Sequence, residues 1–321
     1  VTPSQIIDCG AGSIEIAHTT MREHGGNKYG FMTFEDVLAK SSNVGTIKVG
    51  LALGPRRFFH YITRFGFGRR TGIELPGEAA GILRRTEQWS QLSNAAMSIG
   101  QEIGVTPLQI LTATAAVANG GKRVNPHILD RVVNSEGETL FRAPIPAAEQ
   151  VISPKTAAVL NEILKVVVSR GTGQNAALEE HVVAGKTGTA QKAGRGGYSD
   201  RVVASFSGYV PADRPRLAII VVVDEPRTAQ YGGTVAAPAF REIAEGTLRY
   251  LGVPPSLPGR TLQLNEPKLA VFSQGMPATI PAGSVHKEGD RTVVEQRPAP
   301  AAIPDESREI VLRLEPGATS R

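Results

Sequence analysis

The chain predicts an α/β fold of the α+β kind, an antiparallel sheet flanked by helices. Two observations carry this. Residues 33–170 read mostly as helix, with start signals at Thr33, Thr106–Pro107 and Ser153–Pro154. After Arg170 the period changes: HVVAGKTGTA, RVVASFSGYVP and RLAIIVVVDEP are three β-rich runs joined by turn-rich segments. VAAPAFREIAEGTLRYLG then returns to helical spacing and can pack across those strands.

Taken in order, TFEDVLAKSSNVGTIKVGLALG is two helical stretches separated by a polar break. Thr33 with Asp36 makes an N-terminal capping pattern, and Phe34, Val37 and Leu38 recur at helical spacing. Ser41, Ser42 and Asn43 therefore sit at a helix junction. PRRFFHYITRFGFG is a further helical stretch ended by glycines, and TGIELPGE is a loop. TPLQILTATAAVANGG is apolar all round and stops at Gly120–Gly121, as a buried helix does. SPKTAAVLNEILKVVVSRGTG opens in the same manner. Beyond Gly252 the texture changes to VPPSLPG and RPAPAAIPDE, so residues 1–251 are expected to form the domain and 252–321 a proline-rich linker or tail.

The 321 residues, 41% hydrophobic and 20% charged, suit one large domain plus an appendage. The longest strongly apolar run, Leu217–Val223, is far short of the roughly 20 residues of a membrane-spanning helix. A single cysteine, Cys9, excludes an internal disulfide, and it makes no ligand cluster with His18 and His24, so no metal or cofactor is expected. The net charge of +5 is spread thinly. Arg56–Arg57, Arg69–Arg70 and Arg84–Arg85 stand without an RNA-binding aromatic motif, zinc finger or basic helix, which argues against nucleic acid and for solvated faces. A mild positive balance suits work beside an anionic polymer or membrane.

The sharpest short stretch is AGKTGTA, Ala184–Ala190. A phosphate loop needs G-x-x-x-x-G-K-[ST] and then a helix. Here the first glycine's place is Glu180, and another strand follows, so that reading fails twice. Likewise GFGRRTG has the wrong spacing for a dinucleotide fingerprint. On a strand facing a cleft, Lys186 offers a charge, Thr187 a hydroxyl for a carboxylate, and Gly188 room for an extended peptide alongside. Taken singly, these residues read as an exposed strand face, and Ser41, Ser42 and Asn43 as helix caps. Together, in that order, they point to one cleft.

S-x-N followed by K-T-G resembles the second and third motifs of the penicillin-binding protein and serine β-lactamase superfamily. KSSNVG, SIGQEIGVTPLQ, AGKTGTAQ and YGGTVAAPAF together resemble class B penicillin-binding proteins, especially the septal D,D-transpeptidase type, from about Thr2 to Leu251. The resemblance implies a penicillin-binding transpeptidase fold with a helical subdomain. It also implies acyl transfer from the D-Ala-D-Ala end of a peptidoglycan stem peptide, and β-lactam binding. Carried over by motif, Ser41 relays a proton, Asn43 binds the substrate amide, and Lys186 supplies positive potential. Thr187 and Thr189 bind the carboxylate, with Ser42 and Gly188 beside them, and the backbone N–H of Thr189 serves as an oxyanion donor.

The superfamily's first motif, S-x-x-K, carries the nucleophile. It does not occur between Val1 and Lys40, and its one match, Ser284–Lys287, lies in the expected tail. The resemblance thus implies that the chain begins just after its catalytic serine, and that three of five sheet strands remain. It also implies an N-terminal membrane anchor, a working domain on the periplasmic or outer face, and partnership with a membrane glycosyltransferase and division proteins. His18, His24, His60, His127 and His181 read as surface or core, and Tyr198, Ser199 and Asp200 as the cleft mouth. Two alternatives stay open: a β-lactamase or β-lactam receptor, with Glu74 and Glu78 as candidate carboxylates, and a non-catalytic division scaffold.

Overall fold

In the computed structural model, residues 1–194, 197–227 and 229–257 are described in full, with the backbone of Val285–Glu288, Arg291–Val294 and Leu312–Arg313. Most of the expected tail, and Ser284 of the stray S-x-x-K match, lie outside the described residues. The first elements build a platform for the S-x-N turn. Strand β1 (Ile6–Asp8) pairs with β4 (Phe31–Thr33), and between them β2 (Ser13–Ile16) and β3 (Thr19–Arg22) form a hairpin. Its turn residues Ala17 and His18 both have positive φ, the geometry a two-residue hairpin demands. Thr33 closes β4 and caps helix α1 (Phe34–Ala39), its hydroxyl accepting from Asp36 N at 3.1 Å as the capping pattern predicts.

Helix α1 ends in a Schellman motif. Ser42 N donates to Val37 O at 2.9 Å and Ser41 N to Leu38 O at 3.3 Å, which forces Ser41 to φ 57°. That position favours glycine, yet a serine fills it. Helix α2 (Asn43–Leu53) starts at once, capped by the Ser42 hydroxyl, which accepts from Gly45 N at 3.0 Å. Val37, Val44, Cys9, Met32 and Ile7 bury the joint. The junction read from the sequence is thus a single tight turn with no slack.

Helices α3 (Pro55–Arg64), α4 (Ser93–Ser98) and α5 (Pro107–Ala118) make the helical part. Thr106 and Gln109 form a capping box on α5, and Gln109 Nε2 reaches back to Arg69 O and Ala80 O, so this buried amide pins the 69–80 loop. The sequence reading of this region as mostly helical overlooks two small pairings. Strand β5 (Lys122–Arg123) meets β8 (Glu149–Gln150), and β6 (Arg131–Val133) meets β7 (Thr139–Arg142). Helix α6 (Pro154–Arg170) follows, capped by Ser153.

The three β-rich runs form one antiparallel sheet of β9 (Ala184–Gly194), β10 (Gly197–Val210) and β11 (Leu217–Asp224), in the order β11-β10-β9. Side chains alternate across β10. Phe206 and Val210 face helix α8 (Ala237–Tyr250), where Phe206 meets Phe240 edge-on at 4.7 Å between centroids. Ser207 and Tyr209 face the other layer, bonding Thr114 of α5 and Asn161 of α6 at 2.8 Å each. Helices therefore cover both faces, and the K-T-G strand lies at the sheet's edge.

The short helix α7 (Gly232–Val235) leads into α8 and is wedged against that strand. A Cβ on Gly232 would stand 2.1 Å from Ser205 O and 2.4 Å from Gly188 O, both backbone atoms of the sheet. Neither can retreat alone. Gly232→Ala is therefore expected to destabilise the fold by about 1–3 kcal/mol, read as a lower denaturant midpoint at unchanged slope. An unchanged midpoint would mean that α7 is not seated as described.

Candidate active site

A cleft of about 1080 Å³ opens between the K-T-G strand and the turn that ends α1. Ser41, Asn43, Thr187, Gly188 and Thr189 line it, so the structure brings the two motifs to one place. Lys186 lies beneath the lining. Its Nζ donates to Ser41 Oγ at 2.9 Å, across 145 residues of sequence, and to Thr187 O and Oγ1 at 3.0 and 3.3 Å. Burial of the ammonium, with no anion among the described residues to offset it, pulls Lys186 from its ordinary 10.5 to about 8. It is a cation held at the edge of losing its proton.

The hydroxyls of the strand are placed by their neighbours. Thr187 Oγ1 shares a hydrogen bond with Thr172 Oγ1 at 2.7 Å, and Thr189 Oγ1 accepts from Gly232 N at 3.2 Å. Gly188 has a further reason to be glycine besides room for a peptide, since a Cβ there would stand 2.5 Å from Ser205 Oγ. Asn43 donates from Nδ2 to Arg22 O at 2.9 Å while keeping its place in the lining. Under the turn, Thr172 N donates to Ala39 O at 3.0 Å. Arg170 meets both Glu35 and Asp36, holding Asp36 below the usual carboxylate range against the burial that would raise it. The end of α6 is thereby clasped to α1.

Ser42 corrects the expected set. It is wholly buried, and its hydroxyl is engaged with Gly45 N and the Glu23 carboxylate, so it caps α2 and does not line the cleft. Glu23 itself escaped sequence reading, because a lone carboxylate 19 residues before its partner carries no local signal. His24, expected at the surface or in the core, lines the cleft, edge-on to Tyr231 at 5.0 Å between centroids. Tyr198 and Asp200 line the mouth as expected, with Glu102 N donating to Tyr198 Oη at 3.1 Å, whereas Ser199 does not line it and its hydroxyl donates to Lys192 O at 3.0 Å. The candidate hydrolytic carboxylates are elsewhere. Glu78 accepts from Thr71 and Gly72 within the loop, Glu74 from Ile128 N, and neither lines the cleft.

In its chemistry the site offers a desolvated cation, a strained hydroxyl touching it, a side-chain amide, and two further hydroxyls on an edge strand. That set suits a ligand with a carboxylate and an amide.

The family profile described as the penicillin binding protein transpeptidase domain matches residues 1–245. The chain is 39% identical over 254 residues to stage V sporulation protein D of Bacillus subtilis, covering 78% of this chain and 39% of that protein. It is 33% identical over 230 residues to the peptidoglycan D,D-transpeptidase FtsI of Escherichia coli, covering 71% and 37%. Among solved structures, penicillin binding protein 3 of Mycobacterium tuberculosis complexed with ampicillin superposes with a TM-score of 0.74 at 35% identity, covering 81% of this chain and 60% of that one. The chain thus spans about two-fifths of the length of these curated relatives.

Proposed function

The chain belongs to the penicillin-binding protein transpeptidase family, and from that premise we propose that its cleft serves peptidoglycan D,D-transpeptidation, in septal cell-wall synthesis. The observation that carries this is the 2.9 Å contact between Lys186 Nζ and Ser41 Oγ, which joins the S-x-N and K-T-G motifs in one cleft. In this reading the terminal carboxylate of a D-Ala-D-Ala stem lies on Thr187 and Thr189, drawn by the Lys186 charge. The extended peptide runs along the edge of β9, and Asn43 binds its side amide.

The reaction needs a nucleophilic hydroxyl, the role the S-x-x-K serine has in the resemblance. Its oxygen bonds to the penultimate D-Ala carbonyl carbon, the bond to the terminal D-Ala nitrogen breaks, and that nitrogen takes up a proton. Ser41 is placed to relay the proton, because its oxygen already accepts from Lys186 and its own O–H remains free to donate. An amine of a neighbouring stem then bonds to the acyl carbon, the ester bond to the serine oxygen breaks, and the proton lost by the amine returns to that oxygen. Thr189 N–H is assigned to the oxyanion, a type of contact worth about 2.7–4 kcal/mol in the transition state.

The relatives' names, one a sporulation protein and one FtsI, support a place in division. We assign the working domain to the outer side of the cytoplasmic membrane, beside a glycosyltransferase that supplies glycan strands. The test is labelling of the complete protein with a fluorescent penicillin. Stoichiometric, long-lived labelling that excess unlabelled penicillin prevents supports the transpeptidase. Rapid turnover of a chromogenic cephalosporin favours the hydrolase, and no labelling at all favours a scaffold.

A further inference from the structure

Among the described residues Glu23 is the one buried carboxylate; it is 5% exposed and lies behind the S-x-N turn. It follows β3, and its oxygens face the first turn of α2. Oε2 accepts from Asn43 N at 2.7 Å; Oε1 accepts from Val44 N at 3.2 Å and from the Ser42 hydroxyl. Ser42 Oγ accepts in turn from Gly45 N at 3.0 Å. Three free N–H groups of the helix start are thus satisfied through one carboxylate and one hydroxyl. Arg22, the residue before, supplies the carbonyl that holds the Asn43 side chain. Among the described residues no lysine or arginine forms a salt bridge with Glu23. Its charge is met by the α2 amides, where the helix dipole favours an anion.

A helix needs only a neutral cap to start, and Ser42 is already one. The carboxylate therefore does more than begin a helix: it grips Ser42 and Asn43 from below while Ser41, one residue earlier, is held at φ 57° against its own preference. We propose that Glu23 is the positioning residue of this site, fixing the 41–43 turn in the one conformation that sets the Ser41 hydroxyl on Lys186 and the Asn43 amide in the cleft. The inference rests on the transpeptidase reading of the cleft.

Glutamine at 23 keeps the shape but turns an NH2 toward a donor, so one of the grips is lost. In the complete protein, Glu23→Gln is expected to lower the rate constant for penicillin acylation at saturation about a hundredfold, as misplacement of an aligned group does. Half-saturation should stay near wild type, the melting temperature should fall by no more than one lost buried hydrogen bond explains, and Glu23→Asp should recover part of the rate. A loss of rate that merely follows a loss of melting temperature would overturn the proposal, and so would an aspartate no better than glutamine.

A second readout needs no catalysis. Lys186 is titrated by NMR in the wild type and in Glu23→Gln, where displacement of the 41–43 turn uncovers Nζ to water and must raise the midpoint toward 10.5, opposite to the effect of merely losing a negative charge. An unmoved midpoint sinks the positioning role. If the wild type takes no penicillin while the midpoint moves, the transpeptidase reading fails and Glu23 keeps its role in holding Ser41.

Discussion

Lys186→Met lowers the penicillin acylation rate of the complete protein by about 10²–10³-fold, the usual loss when a preorganised electrostatic contact is removed. The fold survives, because methionine fills the same channel without a buried charge to solvate. The ammonium sits beneath the cleft, touches Ser41 and Thr187, and is drawn down to about 8 by burial alone. At pH 7 it is still mostly charged, and a carboxylate ligand would raise its pKa back toward the ordinary value by direct attraction. The free enzyme's acylation rate is therefore expected to fall on the alkaline side with a midpoint near 8. Lys186→Arg stays charged, so it should lose that limb while working poorly in a channel shaped for an ammonium.

Stability follows the same group with its own sign. The folded pKa of about 8 lies below the ordinary 10.5, so between them the unfolded chain binds more protons. Stability from this group therefore rises with pH across that window, and Lys186→Met should remove the rise. A pH-independent rate from 7 to 9 in the wild type, or a methionine variant of full activity, would take Lys186 out of the chemistry.

Ser41→Gly should give a more stable protein that works badly. Ser41 occupies the left-handed position of the Schellman motif, which costs a side-chain-bearing residue about 1–2 kcal/mol. Glycine removes that strain but adds freedom to the unfolded chain, leaving a gain of about 0.5–1 kcal/mol. Acylation should fall by about 10²–10⁴-fold, because the proton relay is gone. Ser41→Ala separates the two effects, since it keeps the strain and loses only the hydroxyl. Equal stability of the glycine and alanine variants would show that the turn is not strained, and full activity in either would show that the hydroxyl is not used. The arrangement matches a general pattern in which backbone strain concentrates where function requires one geometry.

Much of this was legible beforehand, for local reasons. Thr33, Thr106 and Ser153 announce helix starts because a capping hydroxyl needs only its own next three residues. The sheet shows as three β-rich runs because its strands are long and their neighbours near in sequence. The two-residue pairing of β5 with β8 leaves no such trace; it depends on contacts made after the chain has folded. Within the site, S-x-N and K-T-G named the groups that meet. What they hid was depth: Ser42 turns inward to Glu23, and His24 reaches the cleft wall through Tyr231. Those facts belong to the packing of β3 and α7, which no nearby residue announces.

The wedge of α7 against the sheet has a pharmacological consequence. Gly232 N holds the Thr189 hydroxyl, and α7 runs straight into α8, whose Phe240 is clamped by Phe206 in the core. A substitution on the buried side of α8 can thus tilt Thr189 without touching a bound drug. If the cleft acylates with penicillin as proposed, substitutions at Phe240 and Ala244, far from the cleft rim, should slow that acylation as substitutions at the rim do.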